Sequence, residues 1–209
     1  MTRPTRLVVV TGTGTEVGKT WWTAAIAGAL RSRGVPVAAR KPVQSYAPED
    51  ATTDADVLAA ATGVDAHTVC PPDGWLPVPM APPIAAAQLG RPAFTIADLV
   101  ATIVWPDDCA VGFVESAGGV RSPLAADGDT ADLVGALGPD AALVVAHAGL
   151  GVINGVRSAL DALAGTPAVV ALNHYDADDA VHRANRDWLV ARDALDVMVD
   201  PGELVDRWA

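Results

Sequence analysis

The run Gly12-Thr13-Gly14-Thr15-Glu16-Val17-Gly18-Lys19-Thr20 follows the apolar stretch Leu7-Val8-Val9-Val10 and opens a segment with helical spacing. Strand, glycine-rich turn and helix start, in that order, leave successive backbone N–H groups without partners and aimed at one point, where an anion binds. The pattern predicts a phosphate-gripping loop in which Lys19 neutralises phosphate and the Thr20 hydroxyl faces Mg2+. The plainer alternative is a tight strand-to-helix turn with an incidental lysine. Five residues rather than the usual four separate Gly12 from Gly18, so the loop belongs to a subtype. Of the 14 basic residues only Lys19 and Lys41 are lysines. Every other cation is an arginine, which points to a need for a compact ammonium at those two places.

A chain of 209 residues suffices for one α/β domain burying about 70% of its unfolded surface. The expectation is a single domain over residues 1–209. Hydrophobic content of 51% with 5% aromatics describes a core of Ala, Val and Leu, suited to a parallel sheet covered by helices. A net charge of −11 without basic clusters argues against a nucleic-acid surface. A bound nucleotide then needs a local positive pocket against a negative background. Cys70 and Cys109 lie far apart without metal spacing, and His67, His147, His174 and His182 form no ligating motif. The apolar run after the basic start is too short for a signal peptide or membrane span, so the expectation is a cytoplasmic protein.

Strands are expected at Val8 to Thr11, Val35 to Arg40, Ala110 to Val114, Ala141 to Ala146 and Ala168 to Leu172. Helices are expected at Lys19 to Arg33, Asp54 to Thr62, Ile84 to Leu89, Ile96 to Val104, Ala131 to Leu137 and Asn154 to Ala164, with Thr95 and Asp129 as caps. Gln44 to Thr53 reads as a polar loop. Gly63 to Pro83, rich in proline, reads as an ordered flap that buries Trp75, Leu76 and Met80. Strand and helix alternate, which is the signature of a doubly wound parallel sheet with helices on both faces, here a P-loop NTPase-like fold. Ligands in that architecture sit beyond the carboxyl ends of the strands. The Gly12 loop, Lys41, Glu115 and Asn173 all stand there. Glu115 ends an apolar strand as a magnesium carboxylate would, and Asp54 is either a further oxygen ligand or an ordinary helix cap.

Three ordered pieces, Thr11 to Thr20, Lys41-Pro42-Val43-Gln44-Ser45 and Glu115-Ser116-Ala117-Gly118-Gly119, together resemble the dethiobiotin synthetase family. Pro79-Met80-Ala81-Pro82 and Leu150-Gly151-Val152-Ile153-Asn154 extend the likeness over about residues 7 to 173. The resemblance implies an ATP-dependent ligase closing the ureido ring of dethiobiotin from 7,8-diaminopelargonate and CO2 or bicarbonate. A carbamate would take the γ-phosphoryl group of ATP, and the second amine would displace phosphate. It implies Lys19 and Lys41 as catalytic cations and Thr20, Asp54 and Glu115 around Mg2+. Further nucleotide contacts would be Glu16, Val17, Gly18, Trp21, Ser116, Ala117 and Gly118 near the phosphates, with Asn173, His174, Val199, Asp200 and Pro201 towards the base. Substrate contacts would be Thr15, Ser45 and Gly118. Leu150, Gly151, Ile153 and Asn154 would hold the acid tail across a homodimer.

The chain departs from the family pattern at Tyr46 and Ser116, where glycine is usual, and at Pro83 and Gly155, where histidine is usual. Three other readings stand beside this one. A cobyrinic acid type ligase would need a glutamine-hydrolysing partner. A ParA/MinD-like ATPase switch would carry a second lysine where Gly14 stands, and its membrane anchors favour basic faces, unlike Glu203 to Trp208. A member that binds nucleotide without turnover is the third.

Overall fold

The computed structural model describes residues 3–209. Along them run β1 (Arg6–Gly12), α1 (Lys19–Ser32), β2 (Val37–Arg40), β3 (Gln44–Ser45), α2 (Asp54–Thr62), α3 (Ala66–Val69), β4 (Trp75–Leu76), α4 (Pro82–Gln88) and α5 (Ile96–Ala101). There follow β5 (Val111–Glu115), β6 (Pro123–Ala125), β7 (Gly128–Asp129), α6 (Thr130–Leu137), β8 (Ala141–His147), α7 (Val152–Ala162), β9 (Ala168–Asn173), α8 (Ala180–Ala191), β10 (Val197–Met198) and α9 (Pro201–Trp208).

The central sheet is six-stranded in the order β10-β9-β8-β1-β5-β2, and every pairing in it is parallel. Side chains alternate across a strand, so a strand covered on both faces must be apolar throughout. β1 obeys this. Val8 and Val10 join a cluster with Trp22 and Ile26 of α1, Leu58 of α2, and Leu204, Val205 and Trp208 of α9. Leu7 and Val9 face a second cluster with Leu99 of α5, Leu133 of α6 and Ala159 of α7. A third forms where α7 and α8 cover β9 around Val156, Leu172 and Leu189. Helices therefore flank both faces, as the alternation of elements predicts.

Four differences from these expectations stand out. The sheet has a sixth strand, β10, because two residues, Val197 and Met198, pair with Val170 and Ala171. The polar segment after Lys41 is not all loop: Gln44 and Ser45 pair in parallel with Trp75 and Leu76. That pairing, with Lys41 N–H donating to Val69 O at 2.8 Å and Tyr46 N–H to Leu76 O at 3.1 Å, stitches residues 63–83 to the sheet edge as a fixed wall. Within it Leu76 is buried, but Met80 is 47% exposed rather than core. Lastly, α5 stops at Ala101, and α7 begins at Val152, two residues before the expected start. Among the described residues no helix is long and apolar enough to cross a membrane.

Candidate functional site

β1 ends at Gly12, where the chain must turn beside β8. A Cβ there would fall 2.6 Å from Val17 Cγ2 and 2.7 Å from Val145 O, so the turn closes only around glycine. Glu16 at φ 58° and Gly18 at φ 97° curl the backbone left-handed, the geometry that gathers amides into an anion nest. Gly18 offers no side chain to cap α1, which leaves the first-turn amides of that helix for a ligand. Lys19 is 7% exposed, and its Nζ donates to Gly14 O at 2.9 Å. Burial and then the charge of Lys41 push its ammonium down to about 8, against Glu115 and Asp54, which pull it up.

Lys41, just past the edge strand β2, is fully buried and sits between two carboxylates. Its Nζ lies 2.9 Å from Asp54 Oδ2 and 2.8 Å from Glu115 Oε1. Burial alone would lower its pKa, but Glu115 and then Asp54 hold it above the ordinary lysine value. Asp54, 45% exposed at its side chain, is correspondingly lowered: burial opposes, and the charge and hydrogen bond of Lys41 outweigh it. Asp54 is not the cap of α2. Thr53 caps that helix in a reciprocal box with Asp56, so the Asp54 carboxylate is released to face Lys41 and Thr20.

Thr20 Oγ1 lies 2.8 Å from Asp54 Oδ1 and 2.7 Å from Glu115 Oε1. A hydroxyl carries one proton and can donate to one of these oxygens at a time. Three hard oxygens packed this closely, two of them anionic, suit Mg2+, which takes one or two carboxylates and completes its octahedron with phosphate and water. The residues present therefore fit that ion. Thr23, one turn along α1, was not anticipated. Its hydroxyl lies 2.9 Å from Lys19 O and 3.0 Å from Glu115 Oε2 and shares one proton between them, and its place three residues after Thr20 on one helical face was the available signal.

Above this cluster opens a cavity of about 710 Å3. Thr15, Glu16, Gly18, Lys19, Thr20, Lys41, Ser45, Asp54, Ala117 and Gly118 line it, together with Gln44, Tyr46, Met80 and Pro82. Ser45 Oγ is buried without a hydrogen-bond partner among the described residues, as a group awaiting a ligand would be. Gln44, also unanticipated, accepts from Ala55 N–H through Oε1 at 3.0 Å and so fixes the start of α2. Glu115 and Ser116 lie beneath the cavity, both about 1% exposed. Tyr46 packs edge-on against Trp75, ring centroids 5.9 Å apart, which makes it part of the wall.

The remaining expected contacts do not line this cavity. Asn173 ends β9 with its side chain against the loop: a Cβ on Gly18 would fall 2.1 Å from Asn173 Nδ2. His174 follows at φ 53°, and its ring stands 5.2 Å from that of His147. Val199 and Asp200 lie beyond β10, next to the end of β9, but their N–H groups are engaged by Glu203 in the cap of α9, whose N-cap is Asp200 and first residue Pro201. Val17 packs against the core cluster under α1, whereas Trp21 is 56% exposed, edge-on to Trp22. Leu150, Gly151, Ile153 and Asn154 lie past β8, and Leu150 is 96% exposed. Within one chain they do not meet the cavity. Gly155 lets α7 lie on the loop, since a Cβ there would approach Thr13 Cγ2 to 3.2 Å.

A family model described as an AAA domain matches residues 6–192. The ATP-dependent dethiobiotin synthetase BioD of Rhodococcus jostii (strain RHA1) is 37% identical over 198 residues, covering 92% of this chain and 84% of that protein. The protein of the same name from Haloferax mediterranei is 36% identical over 189 residues, covering 88% and 79%. Among solved structures, the signal recognition particle receptor FtsY from Elizabethkingia anophelis superposes with a TM-score of 0.50 at 16% identity. That match covers 99% of this chain and 66% of that one, a likeness of fold.

Proposed function

Since the chain belongs to the ATP-dependent dethiobiotin synthetase family, we propose that it closes the ureido ring of dethiobiotin from 7,8-diaminopelargonate and CO2, with ATP as the phosphoryl donor. The observation that carries the reading is the convergence of Lys19, Lys41, Thr20, Asp54 and Glu115 at a cavity of about 710 Å3. Phosphoryl transfer asks little covalent chemistry of a protein and much positioning and countercharge. This site offers both.

In the reaction we assign, one substrate amine adds to CO2 and loses a proton, giving a carbamate. A carbamate oxygen attacks the γ-phosphorus, and ADP leaves. The second amine then attacks the carbonyl carbon of the mixed anhydride, expelling phosphate and closing the ring. Thr20, Asp54 and Glu115 would hold Mg2+, whose chemistry there would be countercharge for the transferring phosphoryl group. Lys19, released from Gly14 O, holds the same phosphates, and Lys41 neutralises the carbamate and the transferring group. Ser45, with the backbone at Thr15 and Gly118, orients the diamine. Asn173, His174 and the segment at Val199 to Pro201 serve the base.

We assign the carboxylate tail to Leu150, Gly151, Ile153 and Asn154 of a second copy of the chain. The exposure of Leu150, and the fact that this turn does not line its own cavity, support a homodimer. We place the reaction in the cytoplasm.

The test is to supply purified protein with Mg-ATP, bicarbonate and 7,8-diaminopelargonate and follow ADP and dethiobiotin together. Matched formation of both products is expected. ADP release indifferent to the diamine would instead favour a nucleotide switch, and binding without product a member that has lost turnover.

A further inference from the structure

Asn185 stands on α8, outside the lining of the cavity, and is a buried polar side chain with both amide protons committed. Nδ2 donates to Ala148 O and to Gly149 O, each at 3.0 Å. These are the first two residues after β8. The N–H of Ala148 donates in turn to Asn173 O at 3.0 Å, so the two peptide groups flanking Ala148 join α8 to the end of β9. Gly149 N–H reaches His147 Nδ1 at 3.4 Å, and the His147 ring stands against His174. One turn thus fixes both residues at the end of β9, Asn173 through its carbonyl and His174 through its ring.

We propose that Asn185 is a positioning residue for the nucleotide site: by clamping the turn at Ala148 and Gly149, it sets where the Asn173 amide lies over the phosphate loop. The inference rests on the reading of Asn173 as the residue that meets the base. Two features make the placement sensitive. The Asn173 side chain is 7% exposed and occupies the space that a side chain on Gly18 would need. His174 holds a left-handed φ of 53°, uncommon in a residue other than glycine and dependent on support from its surroundings. Without Asn185, two inward-facing carbonyls lose their donor and turn towards water, and the turn that holds Asn173 follows them.

The experiment is isothermal titration of the full chain with Mg-ATP and Mg-GTP, for wild type, Asn185→Ala, Asn173→Ala and the double variant, with thermal melts alongside. Asn185→Ala should weaken ATP binding about tenfold and narrow the ATP-to-GTP ratio, yet add little in the Asn173→Ala background, because linked residues are not additive. Asn185→Asp, of the same shape but with no donor, should do at least as much. If the alanine variant does not fold, Asn185→Ser, which keeps one donor, carries the same comparison. Lower melting with wild-type ATP affinity and base ratio, or full additivity with Asn173→Ala, overturns the proposal. A silent Asn173→Ala would remove the base-reading role and this inference with it. An effective Asn173→Ala beside a silent Asn185→Ala removes the inference alone.

Discussion

Lys41 Nζ lies 2.9 Å from Asp54 Oδ2 and 2.8 Å from Glu115 Oε1, so one buried ammonium joins the carboxylate that begins α2 to the one that ends β5. The arrangement gives Lys41 two duties, charge balance in the folded chain and countercharge in the reaction.

Lys41→Ala separates them. Removing one partner of a buried pair leaves the other uncompensated, which costs about 3–5 kcal/mol of stability. A lowered denaturation midpoint, partly recovered by added Mg2+, is expected. Dethiobiotin formation should fall by at least about 100- to 1,000-fold, the usual effect of losing a preorganised charge, while ATP affinity stays within a few-fold. Turnover close to wild type would take Lys41 out of the chemistry.

Lys19 gives the site a pH dependence. Its ammonium titrates at about 8 instead of 10.5, chiefly through burial and next through the charge of Lys41. A triphosphate favours the charged form, so association should take up a proton once pH exceeds about 8, and affinity should decline above that value. Calorimetry at pH 9 in two buffers of different ionisation heat reads the uptake directly; equal heats in both would contradict it. For folding the sign is reversed. The unfolded chain keeps this proton up to 10.5, so between about 8 and 10.5 it binds more protons than the native one. Over that window the Lys19 contribution to stability improves as pH rises.

Gly18→Ala should disable the loop twice over. A side chain at φ 97° is strained by about 1 kcal/mol, and its Cβ would fall 2.1 Å from Asn173 Nδ2. Both the amide nest and the Asn173 side chain must shift. ATP binding, followed by the fluorescence of exposed Trp21, should drop by more than tenfold. Retained affinity would show that the Asn173 amide can leave without consequence.

Thr53→Ala and Asp54→Asn should part company although the residues are neighbours. The first removes the cap of α2 and should cost about 1 kcal/mol in stability with a modest effect on turnover. The second keeps the cap. It leaves the buried Lys41 with Glu115 as its one carboxylate, so melting should fall as well, but the mark of the variant is a cut of about 100-fold in Mg2+-dependent turnover. Turnover close to wild type in Asp54→Asn would take Asp54 out of the metal site.

What could be read from the chain was what local chemistry encodes. The Gly12 to Thr20 loop, the strands around Val8, Phe113, Val144 and Val170, and the capping box at Thr95 and Asp98 each carry their signal within a few residues. Other signals were present and unread. Thr53 with Asp56, and Asp200 with Pro201 and Glu203, are capping boxes that mark the starts of α2 and α9. β10 is two residues long and shows no period of its own; only the edge of β9 makes it a strand. The clamp by Asn185 depends on a separation of 37 residues from Ala148, which no spacing rule conveys. Met80 is apolar enough for a core, yet it lines the cavity and is 47% exposed, which no local pattern marks.

The three acidic and basic groups at the heart of the site come from the end of an outer strand, an inner strand and a helix start, with Lys41 and Glu115 74 positions apart in the chain. No proteolytic fragment carrying only one of them can assemble the trio, however well that fragment keeps its helices. Nucleotide-dependent protection of the chain against a protease is thus a gauge of whether the sheet has been completed as far as its rim.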